Sequence, residues 1–196
     1  MLSQEEGIMN YSIPGIVMIK VGNEIKSQLM HRFGIADEDI HVTRSYQPTT
    51  QYSGARDPAA KYQIFLTPTT PPSTVGRGHK DSASVNGVDR EYKEIVPAVF
   101  QIDFLSDYDV NNPNDLEAVD VANAARHMIM HLDAISNLTA LGIYVEKATQ
   151  VRPVFTTTSE AEFESTPNFD LSLTYNSSYI KETPVIESID GSTYNI

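Results

Sequence analysis

Asn114-Asp-Leu-Glu-Ala-Val-Asp-Val-Ala-Asn-Ala-Ala-Arg-His-Met-Ile-Met-His-Leu-Asp-Ala-Ile-Ser-Asn-Leu-Thr-Ala-Leu141 reads as one long amphipathic helix. At 100° per residue, Ala118, Val121, Ala122, Ala125, Met128, Ile129, Leu132 and Ile135 fall within one arc of about 140°, the width of a core-facing stripe. Pro113 and Asn114 suit the start, and Asp115 and Glu117 place negative charge at the positive end of the helix dipole. Gly142 suits the stop, because a left-handed residue costs glycine nothing. A helix of this length spans about 42 Å at 1.5 Å per residue. The small residues on its stripe let it lie close to a sheet.

Strand patterns flank this stretch on both sides. Upstream, Tyr92 to Leu105 alternates, with Val96, Ala98, Phe100, Ile102 and Phe104 on one face and Lys93, Gln101 and Asp103 on the other. Pro97 has no ladder donor, so this strand is an edge or carries a bulge there. Lys61 to Leu66 turns Tyr62, Ile64 and Leu66 inward, and Asp39 to Tyr46 places Ile40 and Val42 together. Downstream come Ile143 to Val151 and then Asn168 to Tyr175, with Phe169, Leu171 and Leu173 aligned. A first helix starts after Pro14, carries Met18, Val21, Ile25 and Leu29 on one face, and stops at Gly34. Gly22 lies inside it, at a cost to helix propensity. The expected core sets Val121, Ala125, Met128, Ile129 and Leu132 against Ile64, Phe100, Ile102, Leu171 and Leu173.

The order of these elements predicts an α+β fold: a largely antiparallel sheet covered by the long central helix and the N-terminal helix. All of residues 1–196 read as one domain, with no internal repeat. Residues 1–13 read as a mobile N-terminal arm, and Pro48 to Pro58 as a polar loop. Residues 67–87 hold Pro68, Pro71, Pro72, Gly76, Gly78 and Gly87 and almost no large apolar residue, and so read as an extended loop. Asn86-Gly87 suits a type I′ hairpin turn, and Asp190-Gly191 a last hairpin in the C-terminal strand extension, Pro184 to Ile196.

Composition removes several function classes. No cysteine is present, which excludes disulfides, thiolate catalysis and cysteine zinc sites. No apolar run approaches the ~20 residues of a membrane span, and the start, Met-Leu-Ser-Gln-Glu-Glu, lacks the basic region of a signal peptide. The net charge of −12 argues against wrapping nucleic acid, which takes a basic stripe. Acid concentrates between Thr157 and Asp190, where Glu160, Glu162, Glu164, Asp170, Glu182, Glu187 and Asp190 face a single base, Lys181.

Candidate chemistry is sparse. His127 and His131 are spaced i, i+4, but His-Met-Ile-Met-His lacks the glutamate of the zinc protease pattern. They read as a surface or subunit contact, with Met130 beside them, and no metal or other cofactor is expected. Met130, Ala134, Leu138 and Leu141 make the back of the long helix apolar, which favours cover by a neighbouring subunit. Gly76-Arg77-Gly78-His79-Lys80 is the one compact basic loop. Its glycines are misplaced for a phosphate loop, so Arg77, His79 and Lys80 read as partner contacts. Asp107 and Asp109, near Asn111, Asn112 and Asn114, lack the glycine and closing glutamate of a calcium loop. No Gly-x-Ser-x-Gly elbow or dinucleotide fingerprint occurs, so no enzyme is expected.

Three groups of residues carry a family resemblance. The first is Arg44-Ser-Tyr-Gln47 followed by Tyr62-Gln-Ile-Phe-Leu66. The second is the long strand leading to Asn112-Pro-Asn-Asp-Leu116 and the Ala-rich helix. The third is Val151-Arg-Pro-Val-Phe155, Phe163-Glu164 and Pro167-Asn-Phe-Asp-Leu-Ser-Leu-Thr-Tyr175. Across residues 36–180 the chain resembles the neck and tail-terminator proteins of tailed bacteriophages. The resemblance implies a non-enzymatic virion subunit, assembled in the host cytoplasm, that forms a homo-oligomeric ring, commonly of six. Such a ring ends the tail tube. Its implied partners are the tail-tube protein and the head-side neck or connector, with genomic DNA passing an acidic lumen without specific binding and no membrane involved. The long 67–87 segment and the extension after Tyr179 depart from the family pattern. Rival readings are a head-completion adaptor or tail-tube subunit, a monomeric binding module, and a small metal-dependent hydrolase using His127, His131 and Asp120 or Asp133.

Overall fold

The structure, a computed structural model, describes residues 14–44, 59–71, 73–84, 87–109, 111–112, 115–157 and 163–184. The N-terminal arm 1–13, the polar loop 48–58, the turn at Asn86, the start of the long helix at Pro113 and Asn114, and the hairpin at Asp190-Gly191 lie outside the described residues. The elements are α1 (Pro14–Phe33), β1 (Ile40–Arg44), β2 (Tyr62–Pro68), β3 (Gly76–Ser84), β4 (Gly87–Ser106), α2 (Ala118–Ile129), α3 (Leu132–Ala140), β5 (Ile143–Ala148), β6 (Phe155–Thr157), β7 (Phe163–Ser165) and β8 (Asn168–Pro184). The fold is α+β, as the element order implied. The main sheet runs β1-β2-β4-β8-β5, with β3 also paired to β4. Only the β1–β2 pair is parallel within it.

The helices cover one face of this sheet. Met18, Val21, Ile25 and Leu29 of α1 are fully buried, as are Ile64, Phe100, Ile102, Phe169, Leu171 and Leu173 of the strands beneath, the alternation that a half-buried strand requires. Gly34 and Gly142 adopt φ of 64° and 74°, the left-handed stops anticipated after the helices. Gly22 has a packing reason. A Cβ there would lie 2.4 Å from Val42 Cγ1 and 3.1 Å from Leu66 Cδ1, so glycine lets α1 approach β1 and β2.

The long helix is broken. α2 ends at Ile129, and His131, extended at φ −78° and ψ 150°, starts α3 by accepting from the Asp133 amide through Nδ1. The break resets the helical wheel. Leu132, expected in the core, is 75% exposed, whereas Ala134 and Leu138, expected on the back, are fully buried. α3 packs Ala134 and Leu138 on α1 and β5 of the same chain, whereas Leu141, on the same expected back, stays 51% exposed. The rest of the expected core holds: Val121, Ala125, Met128 and Ile129 are buried in α2.

The second face of the sheet is closed over at one end. Gln63, Phe65, Asp103, Leu105 and Asn168 are buried there, beyond the inward set expected for β2 and β4. The segment after β5 runs along this end, with Thr149 N donating to Asp170 O, Arg152 N to Asn168 O and Thr166 N to Val154 O. The small β6–β7 pair belongs to the same excursion.

The helix break fixes opposite outcomes for two leucines. Leu138→Ala is expected to cost ~2–5 kcal/mol in urea unfolding, whereas Leu132→Ala is expected to change stability by less than about 0.5 kcal/mol. Equal losses would restore a continuous helix. Gly22→Ala, which in an open helix gains about 1 kcal/mol, is expected instead to lose roughly 1–3 kcal/mol by overpacking against Val42, read from the same unfolding curves.

Candidate functional site

Beyond the helices, three strands continue as a blade. It consists of β3, β4 from Gly87 to Ile95, and β8 from Asn176 to Pro184. The sequence reading of 67–87 as an extended loop is therefore corrected: residues 76–84 are a strand, paired from Gly76↔Ile95 to Ser84↔Gly87. The register encloses residues 85–86, one position before the expected Asn86-Gly87 turn, and those two lie outside the described residues. At about 3.3 Å per residue, the nine residues of β3 reach about 30 Å.

Among its described side chains, the blade has no apolar core, and Ser177 of β8 is the one that is buried. From 76 to 95, no described side chain is buried, and Val75, Val88 and Ile95 are exposed at 69%, 36% and 45%. Cross-strand pairs hold its surface instead. Arg90 makes a bidentate pair with Asp81 at 2.7 and 2.8 Å, and Arg77 Nε lies 3.0 Å from Glu94. The Arg90 guanidinium, hydrogen-bonded to Asp81, holds that carboxyl below its usual range. The His79 and Tyr92 rings sit 6.3 Å apart, tilted by 43°. Arg77, His79 and Lys80, singled out from the sequence, thus stand together on one exposed strand.

Pro97 marks where blade and main sheet meet. Ile95 O accepts from Val75 N and Val99 O from Thr69 N, so odd residues of β4 turn their backbone toward β2 and β3. β2 stops at Pro68↔Phe100 and β3 starts at Gly76↔Ile95. Pro97 faces the gap between them, where its missing donor leaves no ladder bond unmade. The expected edge is thus a local one, on a strand that is otherwise central.

The other sequence candidates do not converge with the blade or with one another. His127 is exposed in the last turn of α2, while His131 caps α3, so the two do not share a helix face. Met130, between them, packs partly against the core. Asp133 lies 3.3 Å from His131 Nδ1 and 3.9 Å from Arg32, and Asp120 sits in the first turn of α2. Among the described residues, no three His, Asp or Glu side chains are placed to hold a metal ion.

The turn that superficially resembled a calcium loop is closed by a cation of the chain itself. An open cleft of about 370 Å³ lies between Lys61, Asp107, Asp109, Asn112 and Asp115. Lys61 Nζ is salt-bridged to Asp115, Asn112 Nδ2 donates to the same carboxylate at 2.6 Å, and the Asp109 amide donates to it at 3.2 Å. The hydrogen bond from Lys61 holds the Asp115 carboxyl below its usual range. These groups fasten the start of α2 to β2 and leave the carboxylate engaged. The sequence showed the acid but not its partner 54 residues away.

The protein-family model described as E217 gateway protein gp29 matches residues 17–185. The chain belongs to this family. It is a structural protein of a bacteriophage, and the family points to a non-enzymatic role. No curated protein matches the chain. The match starts inside α1 and ends one residue beyond β8, so it takes in the blade as well as the main sheet.

One buried charge of this gateway-family chain lies where β4 leaves the covered end of the sheet. Asp103, 8% exposed, accepts from Gln101 Nε2 at 2.8 Å, opposite Asn168. Burial pushes its carboxyl above the usual range, against the hydrogen bonds from Gln101 and Asn168. Arg152 sits close by, bonded to Asn168 Oδ1 and Asp170 at 2.9 Å each. A carboxyl raised in the folded state binds its proton more tightly there than in the unfolded chain. The folded state is therefore penalised once pH rises through the unfolded value and beyond the folded one. Asp103→Asn keeps an acceptor for Gln101 and removes the charge. The variant is expected to melt higher than the parent at pH 7, with the gain shrinking as pH falls toward about 4. A gain independent of pH would show that the charge is not its source.

Proposed function

We propose that this gateway-family chain is a subunit of a closed ring at the junction between phage head and tail, six copies to the ring. In this reading the ring ends the tail tube on one side and meets the head-side neck on the other. The observation that carries it is the coreless blade. A strand triplet about 30 Å long with no buried side chain between 76 and 95 gains little from its own packing. Its exposed Val75, Val88 and Ile95 are the kind of surface that assembly covers. The family supports a structural rather than catalytic task. The net charge of −12 suits a wall past which DNA slides, because like charge keeps phosphate from adhering.

The test is the assembly state of the purified chain, alone and with tails. Native mass spectrometry and negative-stain images are expected to show a single closed species of six copies that seats on tube ends and halts tube growth. Open-ended stacks would make the chain a tail-tube subunit. Rings that bind head connectors but leave tube length uncontrolled would make it a head-completion adaptor. A monomer at tens of micromolar with or without tails would remove the ring.

A further inference from the structure

The blade ends in two open edges. Even residues of β3 turn their backbone toward β4, so Arg77, His79, Asp81 and Ala83 present N–H and C=O groups outward. On the far side, β5 accompanies β8 only as far as Ile143↔Tyr175. Beyond it, the backbones of Ser178, Ile180 and Glu182 also point away from β4. Among the described residues, no strand pairs with either edge.

These edges differ from those of the main sheet. β1 is short, at five residues, and leans on α1. β5 is six residues long and carries a bulge between Val145 and Lys147, a device that blunts an edge. The blade edges carry no such shift: β3 keeps register over its whole length, and β8 keeps register with β4 from Asn176 to Pro184. Charged side chains on β3 guard against indiscriminate pairing. Of these, Arg77 and Asp81 are already engaged by Glu94 and Arg90, which leaves the outward backbone as the surface on offer.

We propose that the β3 edge of one copy pairs with the blade edge of β8 in the next copy, so that the blades form one continuous sheet around the ring. This pairing rests on the ring proposed for the function. Direction supports the occupant. β3 and β8 are both antiparallel to β4 and so run the same way, on opposite flanks of the blade. A second copy related by rotation brings its β3 beside β8 in parallel, and repetition of that one operation uses both edges of every copy and closes into a ring when the rotation is a whole fraction of a turn. Pairing of β3 with β3 about a two-fold axis would stop at a dimer and leave β8 open on both copies.

The chain's lack of cysteine makes the test direct. Lys80 and Ile180 both stand opposite Glu91 in register, two strand spacings or about 9.6 Å apart within one copy. That exceeds the reach of a disulfide, roughly 7 Å between Cα atoms, so an intramolecular bridge is excluded. Lys80→Cys is combined in turn with Ser178→Cys, Ile180→Cys and Glu182→Cys, and the assembled protein is oxidised. At least one combination is expected to give a covalent ladder up to the full ring, while the single variants stay uncrosslinked. In the unsubstituted protein, the amides of Arg77, His79 and Asp81 are expected to exchange at least about tenfold more slowly in the ring than in dissociated subunits. Rings that form with no ladder from any combination and with these amides still fast would overturn the edge pairing and leave the ring standing. Covalent dimers from Lys80→Cys alone would replace it with the two-fold pairing. Monomers throughout would end both readings.

Discussion

The antiparallel pairing of β4 with β8 is the constraint on which the rest depends. It runs in unbroken register from Gly87↔Pro184 to Asp103↔Asn168, through both the covered sheet and the blade. At one end the pair carries Phe100, Ile102, Leu171 and Leu173 into the core under the helices. At the other it holds a surface with no core. The blade is thereby anchored by continuity rather than by contact: its central and flanking strands are the core strands, prolonged. β3, which has no core residue at all, is fastened to that continuation by hydrogen bonds and by the Arg90–Asp81 and Arg77–Glu94 pairs.

The sequence was most informative where apolar periodicity is strong. Met18, Val21, Ile25 and Leu29 announce α1, and the alternation from Val96 to Phe104 announces the inner half of β4, because burial on one side leaves a 3.6- or 2-residue signature. The same logic failed in two places for identifiable reasons. The wheel through Asn114 to Leu141 looks continuous because Leu132 and Ile135 fall on the α2 stripe by coincidence of angle. A single extended residue, His131, rotates α3 relative to α2, and histidine is not among the strong N-cap residues that would have flagged it. Asp133, in the first turn of the new helix, was the available hint.

β3 was illegible for a different reason. Gly-Arg-Gly-His-Lys-Asp-Ser-Ala-Ser contains no β-branched residue and no alternation of apolar with polar, because neither of its faces is buried. Its structure is borrowed from β4 through the hairpin. The hints were the turn residues near Gly87 and the opposed charges of Asp81 and Arg90, which a hairpin brings face to face. The candidate site followed this division. Arg77, His79 and Lys80 stand out in the sequence because basic residues are scarce in an acidic chain, while the outward backbone of the strand that carries them leaves no mark in side-chain chemistry. The histidine pair was drawn from a spacing that the helix break removes.

The shared strands also decide how the blade answers to force. A pull on Gly87 along the strand direction draws β4 lengthwise past β8, so the backbone bonds between them resist together, in shear, back to Asp103 and Asn168. A pull across the blade peels β3 from β4 one bonded pair at a time, starting at an end. Backbone hydrogen bonds of one kind are therefore stiff along one axis and weak along the other. Forced separation is governed by a barrier rather than by equilibrium stability, and that barrier is set here by the direction of load.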